Sequence, residues 1–240
     1  MRRLLLSAGI LYLFIVACES HTVEQIDVQV PEGVLVPEGM VYIPEGEFIM
    51  GHSDQPRTRL GKKQSVGAFF IDRFEVSREN FKQFQADYDF PEKTVKFPVA
   101  RVTYSQADAY CKARKKRLPT EIEWEKAARG TDGRKWPWLI YFEHPNNGYS
   151  GFLPESVDKR EEWISPYGLY GMGHNVWEWT SDWYAYEGQP EKEKNQFKTI
   201  RGGLHQTHLT IKFTPTYERN YIEPEAKMNF LGLRCARSVG

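Results

Sequence analysis

Cysteine is scarce in this chain, at three residues in 240. That is too few for a disulfide framework to hold the fold. Net charge is lacking too: Lys+Arg and Asp+Glu both number 32, so no overall basic field exists to hold nucleic acid, and no nucleic-acid partner is expected. Internal repeats and low-complexity blocks are absent. No uncharged run reaches the ~20 residues needed to cross a bilayer. What remains is ordinary globular material, 40% hydrophobic and 27% charged, which excludes wholesale disorder. Aromatic residues make up 14%, alongside 19 Gly and 14 Pro. That mixture suggests a loop-rich fold with packed rings rather than long helices. A chain of this length buries most of its apolar surface in one large domain or two small ones.

The N-terminus reads as a targeting segment. Met1-Arg2-Arg3 precedes an uncharged stretch from Leu4 to Ala17, the pattern of a secretory signal. Ile15-Val16-Ala17-Cys18 is similar to the bacterial lipobox, in which a Cys after small residues is lipidated and becomes the new N-terminus. Residues 1–17 are therefore expected to be a lipoprotein signal peptide and Cys18 the lipidation site. Removing Arg2 and Arg3 takes the formal charge from 0 to −2. Residues 18–36 are polar and Pro-containing with no helical period, and read as a tether. Residues 37–240 are the expected domain. The setting is the bacterial envelope, facing the periplasm or surface, with the lipid as the membrane contact. Glu19 favours the outer over the inner membrane.

Met40–Ile43 and Phe48–Gly51 flank Pro44-Glu45-Gly46, a short hairpin signal. Ala68–Asp72 is another strand candidate. Ser77 is placed to cap a helix over 78–86 with Phe81 and Phe84 on one face. Ser105 precedes QADAYCKARKK, where Ala107, Tyr110, Cys111 and Arg114 recur at helical spacing. Thr120 and Glu123 form a T-x-x-E capping box, and Gly130 stands where that helix should end. The last hundred residues look irregular and strand-poor, so the class is α+β with heavy loop content.

Six segments, in order, resemble the formylglycine-generating enzyme (sulfatase-modifying factor) family. They are MVYIPEGEFIMG (40–51), FFIDRFEVSRENFKQF (69–84), AYCKARKKRLPTEIEWEKAARG (109–130), YGLYGMGHNVWEWTSDWY (167–184), IRGG (200–203) and GLRCAR (232–237). The resemblance implies a variant C-type-lectin fold: a small twisted antiparallel sheet, flanking helices and long loops. It also implies a disulfide between Cys111 and Cys235, which a secreted compartment permits.

The oxidase of that family uses copper held by two thiolates, soft donors suited to Cu(I). Its pattern after the paired glycines is G-G-S-x-x-C-x-x-x-x-C. Here Gly202-Gly203 is followed by Leu204 at the Ser position, Thr207 at the first Cys and Lys212 at the second. No copper is expected, and no catalytic residue is assigned. His205 and His208 differ by three in a strand and should face opposite ways, which does not suit a shared metal. The family also carries structural calcium. Asn175 and Glu178 resemble one such site, with Asn147 a weak candidate at another; Glu178 could equally pair with a buried Arg. Arg117 and Glu121 are expected to bond across loops above Trp124. Trp177, Trp179 and Trp183 are expected in the core. Lys112, Arg114, Lys115, Lys116 and Arg117 read as a solvated helix end.

Fold alone does not give function. The first expectation is a non-catalytic, lipid-anchored binding or scaffold module whose partner is an envelope protein or ligand. One alternative is an enzyme keeping the pocket for nonheme-iron or cofactor-maturation chemistry. The other is a lectin-like ligand-display protein.

Overall fold

The structure is a computed structural model that describes residues 25–53, 61–138, 154–206 and 211–239. The calls on Cys18, Asn147, Thr207 and His208 lie outside them. The strands are β1 (Met40–Ile43), β2 (Gly46–Met50), β3 (Lys62–Val66), β4 (Phe69–Asp72), β5 (Trp177–Trp183), β6 (Lys198–Gly202), β7 (Leu204–Gln206), β8 (Ile211–Phe213), β9 (Asn220–Ile222), β10 (Leu231–Gly232) and β11 (Ala236–Ser238). Three helices, α1 (Arg78–Lys82), α2 (Tyr104–Ala113) and α3 (Glu121–Arg129), fall between β4 and β5.

Two sheets organise the domain, in the orders β1-β4-β11 and β10-β5-β6-β9, with β2-β3 and β7-β8 as separate two-stranded ribbons. Among the described strands only the β10–β5 pair is parallel. These small sheets, few helices and long connections give the C-type-lectin-like α+β architecture that the resemblance implies. One core packs Trp177, Trp179, Ile200 and Leu233 against Phe81 and the inner face of α2. A second packs Ile43, Phe69 and Ile71 against Trp124, Ala127 and Ala128 of α3.

The helix starts follow local chemistry. Ser77 Oγ accepts the Asn80 N–H, and α1 runs only to Lys82 rather than 86. Thr120 and Glu123 form the reciprocal capping box, and Gly130 ends α3 at φ +70°. For α2 the cap is Thr103 with Gln106, so the helix begins at Tyr104 and takes Ser105 into its first turn.

Three expectations need correction. The Pro44–Gly46 corner is not a hairpin turn: β1 pairs with β4 and β2 with β3, so the corner passes the chain between sheets. The tail is not strand-poor, since β5–β11 all lie in it; five of these are only two or three residues long. The stretch expected as a tether is attached to the domain over much of its described part. Ile26 N–H donates to Pro166 O at 2.7 Å, and Val28 and Val34 pack against buried residues of the β1–β4 side. Val28 and Val34 are half-buried, while Ile26, Val30, Leu35 and Val36 stay exposed, so the attachment is made at a few points. No helix among the described residues is long and apolar enough to cross a membrane.

Cys111 of α2 and Cys235 beside β11 form a disulfide with Cα atoms 5.6 Å apart, closing a separation of 124 residues.

Candidate functional site

The region to which the resemblance assigns copper begins where β6 ends. Gly202 and Gly203 both have positive φ, +69° and +77°. A Cβ on Gly202 would lie 2.9 Å from the Trp124 ring, and one on Gly203 would lie 2.6 Å from the Trp177 ring. Glycine is therefore required here by both backbone and packing. Beyond the pair, β7 and β8 form an antiparallel ribbon with Leu204 opposite Phe213 and His205 opposite Lys212. Leu204 O accepts the Trp177 indole N–H at 3.2 Å. The Leu204 side chain packs, half-buried, on Trp136, Trp138, Trp163 and Phe213.

That aromatic group surrounds His174. Its ring lies edge-on to Trp163 at 5.1 Å and to Trp138 at 6.1 Å. Buried at 3% exposure, its Nδ1 has no hydrogen-bond partner among the described residues. Burial first, and then the positive charges of Arg160 and Arg234, lower its pKa from 6.5 to about 3. His174 is therefore neutral under ordinary conditions. The one sequence signal for this residue is a His in a Gly-rich stretch shortly before Val176-Trp177. The ring cluster, drawn from residues 136 to 213, gave none.

On the other side of the glycine pair the chemistry reverses. Arg201 is fully buried and donates to Glu121 and Glu125, each at 2.8 Å, and to Thr216 O at 2.5 Å. Glu125 also accepts Arg129 at 2.8 Å and the Gly51 N–H at 2.7 Å. Arg219 grips both oxygens of Glu121. Arg117 bonds Glu123 bidentately, at 2.6 and 2.7 Å, rather than the expected Glu121. The basic run is only partly solvated, because Lys116 also pairs with Asp72 at 2.5 Å. Trp177 and Trp179 are core residues, as expected, whereas Trp183 is 40% exposed beneath Lys198.

The Asn175/Glu178 pair does not fit calcium as it stands. Arg234 donates to both Glu178 oxygens at 2.7 Å, and the Trp124 indole N–H adds a third bond at 2.7 Å. Asn175 Oδ1 accepts the Glu155 N–H at 2.9 Å. The carboxylate is a buried partner of arginine and already accepts three hydrogen bonds. Among the described residues, no group of three or more His, Cys, Asp or Glu side chains is arranged to hold a metal.

Glu75 is a residue that sequence reasoning missed. It is 2% exposed, and neither oxygen has a well-formed hydrogen bond among the described residues, with only the nearby Asn175 side chain and its own backbone amide weakly favouring the charge. Its carboxyl lies against Gly171, leaving no room there for a Cβ. Desolvation raises its pKa from 4.5 to about 8, with Arg234 opposing and Glu178 reinforcing the shift. Its only sequence signal was an acid between the apolar Phe74 and Val76.

A family model described as the sulfatase-modifying factor enzyme 1-like domain matches residues 28–239. The mouse protein named inactive C-alpha-formylglycine-generating enzyme 2 is 30% identical, over 84% of this chain and 86% of its own length. Mouse formylglycine-generating enzyme is 26% identical, over 82% and 74%. Bacillus subtilis YfmG is 26% identical over 84% of this chain, which spans only 55% of that relative's length. Among solved structures, Treponema denticola variable protein 1 superposes with TM-score 0.68 at 23% identity, covering 83% of this chain and 94% of that one. PvdO from Pseudomonas aeruginosa gives TM-score 0.64 at 22% identity, covering 88% and 100%.

Proposed function

This chain belongs to the sulfatase-modifying factor enzyme 1-like family, and from that premise we propose that it is a non-catalytic binding or scaffold module of the bacterial envelope. One observation carries the reading. Of the three cysteines in the chain, Cys111 and Cys235 are bonded to each other, leaving Cys18 as the one other cysteine. No pair of thiolates is left to hold Cu(I), and the positions matched to that pair are Thr207 and Lys212. A mouse relative that carries the word inactive in its name supports the same reading.

The test pairs the native chain with a Thr207→Cys/Lys212→Cys/Leu204→Ser variant in Cu(I) titration and oxidation of a sulfatase-type Cys peptide. The native chain should do neither. Peptide oxidation by the native chain sinks the reading.

Anchoring is the second half of the proposal. Lipid on Cys18 would hold the module at the membrane, with the outer membrane favoured, facing an envelope protein or ligand. Cys18→Ser should release the chain from membranes or block its processing, as read by fractionation and mass. Normal processing with unchanged membrane association would contradict it.

A further inference from the structure

We propose that the loop between β5 and β6 builds a binding pocket for an organic cation carrying an alkylated or primary ammonium group. The pocket is a cavity of about 370 Å³, within the range of small-molecule sites. It is independent of the copper region and does not depend on whether the domain is catalytic. Tyr184 N–H donates to Phe197 O at 2.8 Å and closes the loop at its base. Four rings wall the space. Tyr221 of β9 lies 4.4 Å from Tyr184 and 5.2 Å from Phe197, and Tyr186 lies 6.3 Å from Tyr184. The rings are inclined to one another by 32°, 61° and 47°, so they form walls rather than one flat platform.

The charged lining is all acceptor. Glu187 and Glu193 are the charged lining residues, and no Lys or Arg joins them. Tyr186 uses its hydroxyl to donate to Glu193 at 2.9 Å. Gln189 uses its amide N–H on Glu193 O at 3.0 Å, which leaves its buried Oε1 without a partner among the described residues. An anion would be repelled by the two carboxylates, and a neutral sugar would gain nothing from them that water does not supply. Ring faces and unopposed acceptors together match a cation. Arg219, 4.8 Å from the Tyr184 ring centroid, is turned away to both oxygens of Glu121 and to Ala185 O and is not among the lining residues. Two of the rings stay accessible, with Tyr186 44% and Tyr221 43% exposed.

The experiment titrates the full chain with choline, N-acetyl-lysine amide, the neutral choline isostere 3,3-dimethylbutanol and methyl glucoside, reading tyrosine ring resonances by NMR. At least one ammonium probe should bind saturably, and which one identifies a methylated or a primary ligand. The neutral isostere should bind at least about 10-fold more weakly. Tyr221→Leu, which keeps bulk but removes the π-face, should weaken binding about 5-fold; Glu193→Gln should weaken it about 3-fold with an unchanged unfolding midpoint. If Tyr221→Leu perturbs folding, Glu193→Gln and the isostere still decide the matter. Saturable binding of the isostere or glucoside at least as tight as the cations overturns the proposal. So does the absence of binding by both ammonium probes.

Discussion

Two regions meet at Gly202-Gly203, and they are held together by opposite means. Before the glycines, Arg201 joins a buried network in which Glu121, Glu125 and Glu178 are each held by guanidiniums from distant segments. After them, Leu204 joins rings whose one polar member, His174, has no partner among the described residues for its Nδ1. Buried charges demand partners at fixed positions, so the first region tolerates little change. Apolar packing tolerates many sequences of similar volume. The aromatic side therefore accepts substitutions that the charged side does not, and the scaffold can persist through them.

The sharpest way to break this contrast is to unpair the network. Glu178→Ala strands Arg234 and the Trp124 indole N–H, and should cost about 3–5 kcal/mol in urea unfolding. A substitution in the aromatic region costing as much would erase the distinction. Removing the disulfide comes next. Cys111→Ala/Cys235→Ala releases a loop of 124 residues, and should cost about 2–5 kcal/mol. Thiol titration of the denatured, unreduced native chain should find neither of these two cysteines free.

Smaller effects separate the regions by pH. Glu75 titrates near 4.5 when unfolded and at about 8 when folded. Folding takes up a proton between those values, so its contribution falls as pH rises through that window. Glu75→Gln should flatten this limb and raise stability at pH 8 by roughly 1–3 kcal/mol. His174 behaves oppositely. Its pKa falls from 6.5 to about 3 on folding, so stability is lost as pH drops from 6.5 toward 3. His174→Phe should remove that acid limb while changing stability at pH 7 by less than about 1 kcal/mol. Unfolding midpoints from pH 4 to 9 for both variants test the two signs together.

Legibility in the sequence followed the same divide. The α3 cap, Gly130 and the Cys111–Cys235 pair were readable because each rests on local chemistry or on a motif with fixed positions. The Pro44–Gly46 corner misled because strand partners are chosen by distant segments, not by the turn. Strands β7–β11 went unseen because two or three residues cannot show an alternation. Glu178 between Trp177 and Trp179 hinted at a buried acid, but its partner lies 56 residues onward. Glu75 and the rings around His174 left still less trace. Their environments are assembled from loops that share no period.

The segment from Leu231 to Ser238 carries a consequence for biosynthesis. Within eight residues it supplies β10 to one sheet, β11 to the other, Arg234 to Glu178, and Cys235 to Cys111. A ribosome or an export channel delivers these residues after everything they complete. Until they arrive, the growing polypeptide holds a buried glutamate without its guanidinium and two sheets with unpaired edges, and it cannot lock. Closure is therefore a late event that follows delivery of residue 238, and a product ending at Phe230 should be cleared by proteases rather than accumulate.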